Sequence, residues 1–361
     1  MQLALPESLP TLVAKRFTAA RDASHLVFSS THLSIINAAG ISYQLRYCPA
    51  LAKKPSNIKP DNGPKVPKPD PFQNPTPELL IAQFPPENPA YNLILNKFPV
   101  IPNHFLLVTR DWQAQTDVLE KADLEATYEV LKAWNPSEQG QTNGSKTQGQ
   151  GQSQSLFAFF NSGDDSGASQ PHRHLQFLPV EAMRQPGSET WHPLIDLLTS
   201  QCTSPPSSPS STPKFQHLSA LSFAHFALPL PPNPSPEALY SVYTTLYKAA
   251  VAATQGYSPY QYTEPVPTHG ASRISYNLAM TRSKMMICPR RQETAVVPID
   301  AAAAADIVDP GVLSLNGTIL AATLMVKAES EWDALRENPE LLTQVLTTVG
   351  FPRTDSRGPS L

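Results

Sequence analysis

Two kinds of hydrophobic pattern alternate along this chain of 361 residues. In some segments apolar residues recur at helical spacing, which predicts amphipathic helices with one buried face. In others, short runs of β-branched and aromatic residues stand between turn-forming residues, which predicts strands. The predicted helices are 8–21, 117–134, 235–255 and 339–349, the last with Asn338 as N-cap and Pro339 as its first residue. The predicted strands are 91–98, 105–109, 156–160, 172–180, 223–228, 275–279 and 285–288, after a hairpin between 25 and 48 that turns at 38–40.

The order of these elements, with a strand-rich middle and helices set apart from it, favours an α+β fold. Two polar tracts interrupt the pattern. Residues 136–155 include no large apolar side chain and are predicted to form a disordered surface insertion. Residues 204–214 are rich in Ser and Pro and are predicted to link two regions, 1–203 and 215–361.

Composition narrows the classes of function. Lys and Arg number 27 against 30 Asp and Glu, a net charge of −3, which argues against a broad electrostatic surface for nucleic acid. No apolar run reaches the ~20 residues that a membrane helix needs, and the N-terminal segment has no basic stretch ahead of an apolar core. We therefore expect no membrane span and a cytoplasmic protein, with the nucleus as the alternative. The three cysteines lie far apart without a CxxC pair, which argues against a disulfide framework or a Cys-based zinc site.

Candidate chemistry is concentrated between Asn161 and Gln176. Because strand side chains alternate between faces, His172, His174 and Gln176 are predicted to point to the same side. The small residues 167–170 come just before them and can present backbone N–H groups to an anion. An imidazole held against a bound phosphate can displace a leaving group from phosphorus, and a second nucleophile can then take the nucleotidyl group.

The three polar side chains of this strand have different predicted roles. His174 is the candidate nucleophile because it is central on the strand face. His172 would orient it or donate to a phosphate oxygen. Gln176 would bind a phosphate oxygen through an amide that does not titrate, so it would not act as a base toward water.

A metal site is an alternative that the residues alone leave open. A His-x-His pair on a strand is also typical of a metal-ligand pair or of a polar strand edge. A metal ion would need a third and a fourth ligand, and the candidates are His104, His192 and His269 if the fold brings them together. The small residues before the pair and the spacing of Gln176 favour the catalytic interpretation.

Several segments together resemble a known family. Residues 166–180, SGASQPHRHLQFLPV, resemble the signature of the histidine-triad superfamily, in the transferase branch with a His-x-His-x-Gln motif. Residues 95–109, LNKFPVIPNHFLLVT, resemble the strand pair upstream of that signature. The Lys53-Lys54 segment, PDPFQNPTPELL and SYNLAMT extend the resemblance over nearly the whole chain. The chain is thereby similar to the fungal-type ATP adenylyltransferases, the diadenosine tetraphosphate phosphorylase family.

The resemblance implies a fold and a reaction. The fold would be HIT-like, with an antiparallel sheet core and flanking helices. The reaction would be reversible phosphorolysis of diadenosine tetraphosphate to ATP and ADP through a covalent histidine–AMP intermediate, with release of ADP from adenylyl sulfate as a further reaction. Its ligands would be dinucleoside polyphosphates, ATP, ADP and phosphate. Apart from the resemblance, nothing in the sequence demands more than a monomer, so a monomer is expected. The sequence shows no dedicated cluster of carboxylates, so we expect no tightly bound cofactor, and Mg²⁺ or Mn²⁺ would arrive with the nucleotide phosphates.

The resemblance also assigns site residues. The nucleophile falls on His174 and its amide partner on Gln176, with His172 beside them. The lysine that contacts the polyphosphate falls on Lys54, with Lys53 equal on sequence grounds. The other nucleotide contacts that it implies are Asn96, Lys97, Asn161, Gly167, Ala168, Ser169, Gln170, Asn277, Leu278, Ala279 and Lys284.

Three other functions stand as alternatives. A hexose-1-phosphate uridylyltransferase shares the final Gln of the motif, but it usually has a proline where Arg173 stands and often has a Cys-based metal site. A histidine-triad hydrolase would need a third histidine at position 176. A non-enzymatic scaffold would recruit partners through the proline-rich tracts, but Ser/Pro low complexity more often marks a linker.

Overall fold

The computed structural model describes residues 3–53, 70–135, 155–198, 214–299 and 311–353. The helices are α1 (Leu9–Asp22), α2 (Lys121–Trp134), α3 (Val180–Met183), α4 (Leu194–Leu197), α5 (Pro236–Thr254), α6 (Glu329–Glu337) and α7 (Glu340–Val349). The strands are β1 (His32–Ala38), β2 (Ile41–Tyr47), β3 (Leu80–Phe84), β4 (Tyr91–Leu95), β5 (Phe105–Thr109), β6 (Leu156–Ser162), β7 (His174–Pro179), β8 (Phe226–Pro229), β9 (Ser275–Met280), β10 (Lys284–Arg290), β11 (Thr294–Val296), β12 (Val312–Ser314) and β13 (Thr323–Val326). Short 3₁₀ turns cover Pro49–Lys53, Asp164–Ser166 and Gly317–Ala321.

One eight-stranded sheet runs through most of the described chain. Its strand order is β3-β4-β5-β7-β6-β9-β10-β8, and every neighbouring pair is antiparallel. Strands β3 to β7 precede the Ser/Pro tract and β8 to β10 follow it, so both regions build the same sheet. They meet at the β6–β9 pair, where Asn161 lies opposite Asn277. The expected α+β class with an antiparallel core and flanking helices is confirmed.

An apolar layer covers each face of this sheet. On one face, Leu175 and Phe177 of β7 pack with the buried sides of α1, α2 and α5. On the other face, Phe159 of β6 belongs to a layer that includes the smaller sheet β1-β2-β13 and helices α6 and α7. Phe159 lies opposite Gln176, and strand alternation puts His174 on the same side. The candidate site residues therefore face away from the helices α1, α2 and α5.

The ends of several predicted elements differ from the observed ones. Strand β7 begins at His174 rather than at 172, because the residues before it pair outside the ladder: the Arg173 N–H donates to the Gln113 carbonyl at 2.8 Å. Strand β8 begins at Phe226 rather than at 223. Helix α2 begins at Lys121 rather than at 117, after a capping box formed by the two acidic residues at 120 and 123.

The prediction that Asn338 caps the last helix is wrong. Asn338 is instead the C-cap of helix α6, where its backbone N–H donates to the Ala334 carbonyl at 3.0 Å, and α7 begins at Glu340. The pattern does not predict α6, because its sequence ESEWDALRE offers only Trp332, Ala334 and Leu335 as apolar residues. The N-cap prediction therefore takes the end of α6 for the start of α7.

Three predictions fall outside the described residues: the disorder of 136–154, the linker at 204–213 and the phosphate contact of Lys54. All three stay predictions. Lys53 ends the first 3₁₀ turn. No helix within the described ranges is both long and apolar enough to cross a bilayer.

Candidate active site

The ring of His174 lies buried on β7, with 2% of the residue exposed. Its Nδ1 atom is 2.8 Å from the backbone oxygen of His172. A carbonyl oxygen can only accept, so Nδ1 carries the proton and Nε2 keeps a lone pair. Burial lowers the pKa of His174 to about 4, which keeps the ring neutral near neutral pH. Nε2 has no hydrogen-bond partner among the described residues, so the lone pair is available as a nucleophile.

Both ring nitrogens of His172 are held. Nδ1 lies 2.6 Å from Asp70 Oδ2, and Nε2 lies 3.0 Å from Thr109 Oγ1. The other oxygen of Asp70 accepts from the backbone N–H of Phe72 at 2.9 Å, which fixes the carboxylate. The Phe72 ring lies beside the His174 ring, with centroids 5.1 Å apart. Asp70 therefore orients His172, and the backbone of His172 orients His174.

The backbone of β7 is anchored on both sides at this point. The His174 N–H donates to Gln115 Oε1 at 2.7 Å, and Gln115 Nε2 donates to the carbonyls of Asn161 and His174 at 2.6 and 3.2 Å. Between the histidines, Arg173 points to the helix side, where its NH1 lies 2.8 Å from Asp123 Oδ2. These contacts fix the strand that carries the predicted nucleophile.

Gln176 lies two residues further along the same face, in the wall of an open cavity of about 350 Å³. Its Oε1 is 3.1 Å from His104 Nε2, and Nδ1 of that ring is 3.0 Å from Asn96 Nδ2. Burial lowers the pKa of His104 to about 4, and the hydrogen bond to Gln176 acts in the opposite direction. His104 is therefore a neutral hydrogen-bond partner of Gln176.

The metal alternative receives no support from the described residues. No group of three or more His, Cys, Asp or Glu side chains in these ranges is placed to hold a metal ion. His104 contacts the amides of Asn96 and Gln176, and His269 is exposed beside Thr268. Within the described ranges, His104, His192 and His269 thus form no metal-binding group with His172 and His174.

The loop before β7 is shaped to expose backbone N–H groups. It contains the 3₁₀ turn Asp164–Ser166 and reverses at Gly167, whose φ is +76°. A Cβ at Gly167 would lie 2.8 Å from Asn316 Cβ, so both conformation and space favour glycine. The N–H groups of 168–170 donate to no residue that the structure describes. Since Gly167 lines the same cavity as Gln176, these groups can receive an anion there.

A buried amide network connects this loop to the C-terminal region. Asn277 Nδ2 donates to Asn161 Oδ1 and to the Ser166 carbonyl, each at 2.9 Å. Asn161 Oδ1 also accepts from the Gly317 N–H at 2.8 Å, and Asn277 Oδ1 accepts from Arg290 at 2.6 Å. Asn161 Nδ2 is buried and has no partner among the described residues. Both asparagines fix the loop, and their contact with a nucleotide stays a prediction.

The predicted contacts around 96–97 lie at the cavity or next to it. Asn96 lines the cavity together with Phe98, half of which is exposed. Lys97 is exposed, and its ammonium lies 5.8 Å from the centre of the Phe98 ring. Asn96, Gln176 and the loop before β7 therefore line one cavity, and the positive charge of Lys97 lies beside it.

Other predicted contacts are not brought to this cavity. Lys284 Nζ lies 3.3 Å from the carbonyl oxygen of Ile195, and burial lowers the pKa of this lysine. The side chain of Leu278 belongs to the helix-side apolar layer, and that of Ala279 to the layer on the opposite face. A role in nucleotide binding for these three residues stays a prediction.

Two family descriptions match the chain. The Ap4A phosphorylase N-terminal domain, where Ap4A is diadenosine tetraphosphate, matches residues 1–155 and 152–200, more than half of the length. The chain belongs to the Ap4A phosphorylase family. The ATP adenylyltransferase C-terminal domain matches residues 219–352. The family inferred from the histidine motif is thereby confirmed.

Members of the Ap4A phosphorylase family align with nearly the whole chain. Protein APA1 of Saccharomyces cerevisiae is 27% identical over 372 residues, with 99% of both chains covered. Diadenosine 5',5'''-P1,P4-tetraphosphate phosphorylase 2 of the same yeast is 28% identical, covering 99% of this chain and 98% of the relative. The crystal structure of yeast Ap4A phosphorylase Apa2 in complex with Ap4A matches 97% of this chain and 99% of that chain, with 26% identity and a TM-score of 0.72.

Sequence reasoning misses several residues of this Ap4A phosphorylase site. Asp70, Thr109 and Gln115 are not predicted, and His104 is considered only as a metal ligand. Asp70 and Thr109 lie within segments that carry the family resemblance, but 102 and 63 residues separate them from His172. Nothing in the spacing of the chain signals these contacts, because they depend on how β5 and the segment at 70–72 approach β7.

Proposed function

We propose that this member of the Ap4A phosphorylase family catalyses the reversible phosphorolysis of diadenosine 5',5'''-P1,P4-tetraphosphate to ATP and ADP. A yeast relative is named for this activity, and the similar crystal structure of yeast Ap4A phosphorylase Apa2 was determined in complex with Ap4A. The observation that carries the proposal is the His174 ring, which burial keeps neutral and whose Nε2 has no hydrogen-bond partner in the part of the chain that the structure describes. His174 begins the strand that follows residues 168–170, whose N–H groups donate to no residue within the described ranges.

In the first half-reaction, Nε2 of His174 attacks the α-phosphorus at one end of the dinucleotide. A P–N bond forms, the P–O bond to the bridging oxygen breaks, and ATP leaves with the bonding electrons. The proton on Nδ1 stays in its bond to the His172 carbonyl, which stabilises the positive charge that develops on the ring. His174 then carries AMP as a phosphoramidate.

In the second half-reaction, an oxygen of inorganic phosphate attacks the same phosphorus. The P–N bond breaks, ADP forms and the neutral His174 ring is restored. The N–H groups of 168–170 and the amide of Gln176 would hold the phosphate oxygens while charge moves between them. An amide at position 176 cannot remove a proton from water, which favours transfer to phosphate over hydrolysis.

The ligands that fit this proposal are dinucleoside polyphosphates, ATP, ADP and phosphate. Lys97 supplies an exposed positive charge beside the cavity, and Lys54 is the second lysine assigned to the polyphosphate. Mg²⁺ or Mn²⁺ bound to the nucleotide phosphates would neutralise part of their charge. Adenylyl sulfate presents the same α-phosphorus with sulfate as leaving group, so the same two steps would release ADP from it.

Product analysis tests the proposal. Ap4A should give ATP and ADP in equal amounts, and only when phosphate is present. Formation of ATP and AMP without phosphate would instead identify a hydrolase. Exchange between UDP-glucose and a hexose 1-phosphate, with Ap4A unchanged, would identify a uridylyltransferase.

A further inference from the structure

A chain of hydrogen bonds leads from a backbone amide to the side chain of Gln176. The N–H of Phe98 lies 2.9 Å from Asn96 Oδ1. The Nδ2 atom of the same amide lies 3.0 Å from His104 Nδ1, and His104 Nε2 lies 3.1 Å from Gln176 Oε1. The pairing of β5 with β7 brings His104, just before β5, close to Gln176, because Leu106 of β5 lies opposite Gln176 of β7. The backbone N–H of Asn96 also donates to the His104 carbonyl at 3.0 Å.

Elementary chemistry fixes the direction of each bond. A backbone N–H only donates, so the atom of Asn96 that faces Phe98 is the oxygen. The NH₂ of Asn96 therefore faces His104, so Nδ1 of the ring accepts and the ring proton is on Nε2. Nε2–H then donates to Gln176, so the atom facing it is the oxygen. The NH₂ of Gln176 has no partner among the described residues and is left for the cavity.

The direction of these hydrogen bonds, from Phe98 to Gln176, requires a neutral His104 ring. Only 7% of the residue is exposed, and burial lowers its pKa to about 4. A charged ring would place an N–H at Nδ1 against the NH₂ of Asn96, which is unfavourable for both groups. A neutral ring is the state in which each contact from Phe98 to Gln176 pairs a donor with an acceptor.

We infer that His104 is a positioning residue, which holds the Gln176 carboxamide with its NH₂ toward the cavity so that this group donates to a phosphate oxygen of the bound nucleotide. The inference rests on the proposed function. Without His104 the carboxamide of Gln176 is free to rotate and can present its oxygen to the phosphate. The negative phosphate oxygens repel this amide oxygen, so the contact is lost. Loss of one hydrogen bond to a charged group corresponds to a fall of ~10–100-fold in kcat/KM.

A double-mutant cycle separates positioning from general packing. His104→Phe and Gln176→Ala should each lower kcat/KM, and the double variant should be no worse than Gln176→Ala alone, because the amide is then absent. His104→Gln keeps a donor near the position of Nε2 and should recover part of the loss, and it also serves if His104→Phe does not fold. His269→Gln removes an exposed histidine and should change nothing. Additive effects of the two changes would overturn the inference.

Nuclear magnetic resonance of ¹⁵N-histidine-labelled enzyme gives a readout that does not depend on turnover. The His104 ring should show a protonated Nε2 and an unprotonated Nδ1. Asn96→Asp replaces the NH₂ donor by a carboxylate acceptor and should put a proton on Nδ1. A wild-type His104 ring protonated on Nδ1 would contradict the assigned direction of the hydrogen bonds from Phe98 to Gln176.

Failure of the inference is distinguishable from failure of the proposed function. If the wild-type enzyme does not convert Ap4A with phosphate, the proposed function fails, and the same cycle is measured on the Kd for AMP. Coupling between positions 104 and 176 in AMP affinity would support the positioning role, and additive losses would overturn it. If the wild-type enzyme does convert Ap4A, the double-mutant cycle on kcat/KM decides whether His104 positions Gln176.

Discussion

His174 Nδ1 donates to the backbone oxygen of His172 across 2.8 Å, so the two histidines of the motif are joined through the backbone and not ring to ring. The bond fixes both the tautomer and the rotation of the His174 ring. The His172 ring is fixed separately, by Asp70 and Thr109. One ring thus offers a lone pair, while the other anchors the strand. Substitutions at the two histidines should therefore differ in kind.

His174→Asn should abolish covalent labelling by Ap4A that is radioactive at the α-phosphate and should lower turnover by several orders of magnitude, because the attacking atom is lost. His172→Asn should lower the rate by ~10²–10⁴-fold and leave labelling detectable. The wild-type adduct should be acid-labile and alkali-stable, as a phosphoramidate is. Peptide mapping checks the site, and AMP found on His172 would reverse the two roles.

Asp70→Asn should lower kcat/KM by ~10–100-fold, because the 2.6 Å contact with His172 Nδ1 is a hydrogen bond to a charged group. In a His172→Asn background the same change should have little further effect, since the two residues act as a unit. Steady-state kinetics of the two single variants and the double variant measure this coupling. Asp22→Asn, at an exposed aspartate paired with its neighbour Arg21, is the control and should be neutral. Independent losses at positions 70 and 172 would refute the orienting role.

Gly167→Ala should reduce both stability and nucleotide affinity. The residue has φ +76°, and the added Cβ would lie 2.8 Å from Asn316 Cβ, so the loop must move. Gly40→Ala is the matched control, because its φ is +79° but no atom lies within 4 Å of the added Cβ. It should cost only the backbone term of ~1–2 kcal/mol and leave AMP affinity unchanged. Urea denaturation and calorimetric titration with AMP compare the two variants. Equal AMP affinities would show that the loop at 167–170 does not contribute to nucleotide binding.

Arg173→Met should destabilise the protein by ~3–5 kcal/mol, because it leaves the buried carboxylate of Asp123 without its ion pair. Adding Asp123→Asn should recover part of this loss. The partners are 1% and 2% exposed in their side chains, whereas the Lys121–Glu237 pair is 48% and 70% exposed. Lys121→Met should therefore change the free energy of unfolding by less than ~1 kcal/mol. Urea denaturation at neutral pH measures the three variants against the wild type, and equal losses at both pairs would contradict the burial argument.

The free energy of unfolding should fall as the pH drops from 6.5 toward 4. His104 and His174 have pKa values of about 4 in the folded state against 6.5 for an unperturbed ring. In this window the unfolded chain binds protons that the folded protein does not, so stability is complete above 6.5 and is lost toward 4. Each histidine contributes up to ~1.4 kcal/mol per pH unit. Urea denaturation across this range measures the slope, which His104→Gln should reduce; an unchanged slope would mean that His104 is not neutral in the fold.

Local pattern predicts much of the secondary structure of this chain. The strand at Phe105–Thr109 is observed with its predicted ends, because an uninterrupted apolar run between turn residues has few alternatives. The hairpin turn at 38–40 is also confirmed, with Ala38 opposite Ile41. Helix α6 is not predicted, since tertiary contacts stabilise a segment whose own pattern is weak. Element ends shift where capping and pairing with distant residues decide them.

The sequence by itself determined the family and the shared face of His172, His174 and Gln176, because alternation along a strand is a local property of the backbone. It did not determine what holds these side chains. Asp70 reaches His172 across 102 positions and His104 reaches Gln176 across 72, through the order of strands in the sheet. Those contacts decide which nitrogen of His172 faces a carboxylate and which atom of the Gln176 carboxamide faces His104. The sequence therefore specified the reactive groups, and only the tertiary structure decided their protonation and direction, because hydrogen bonds between distant segments form when the sheet assembles.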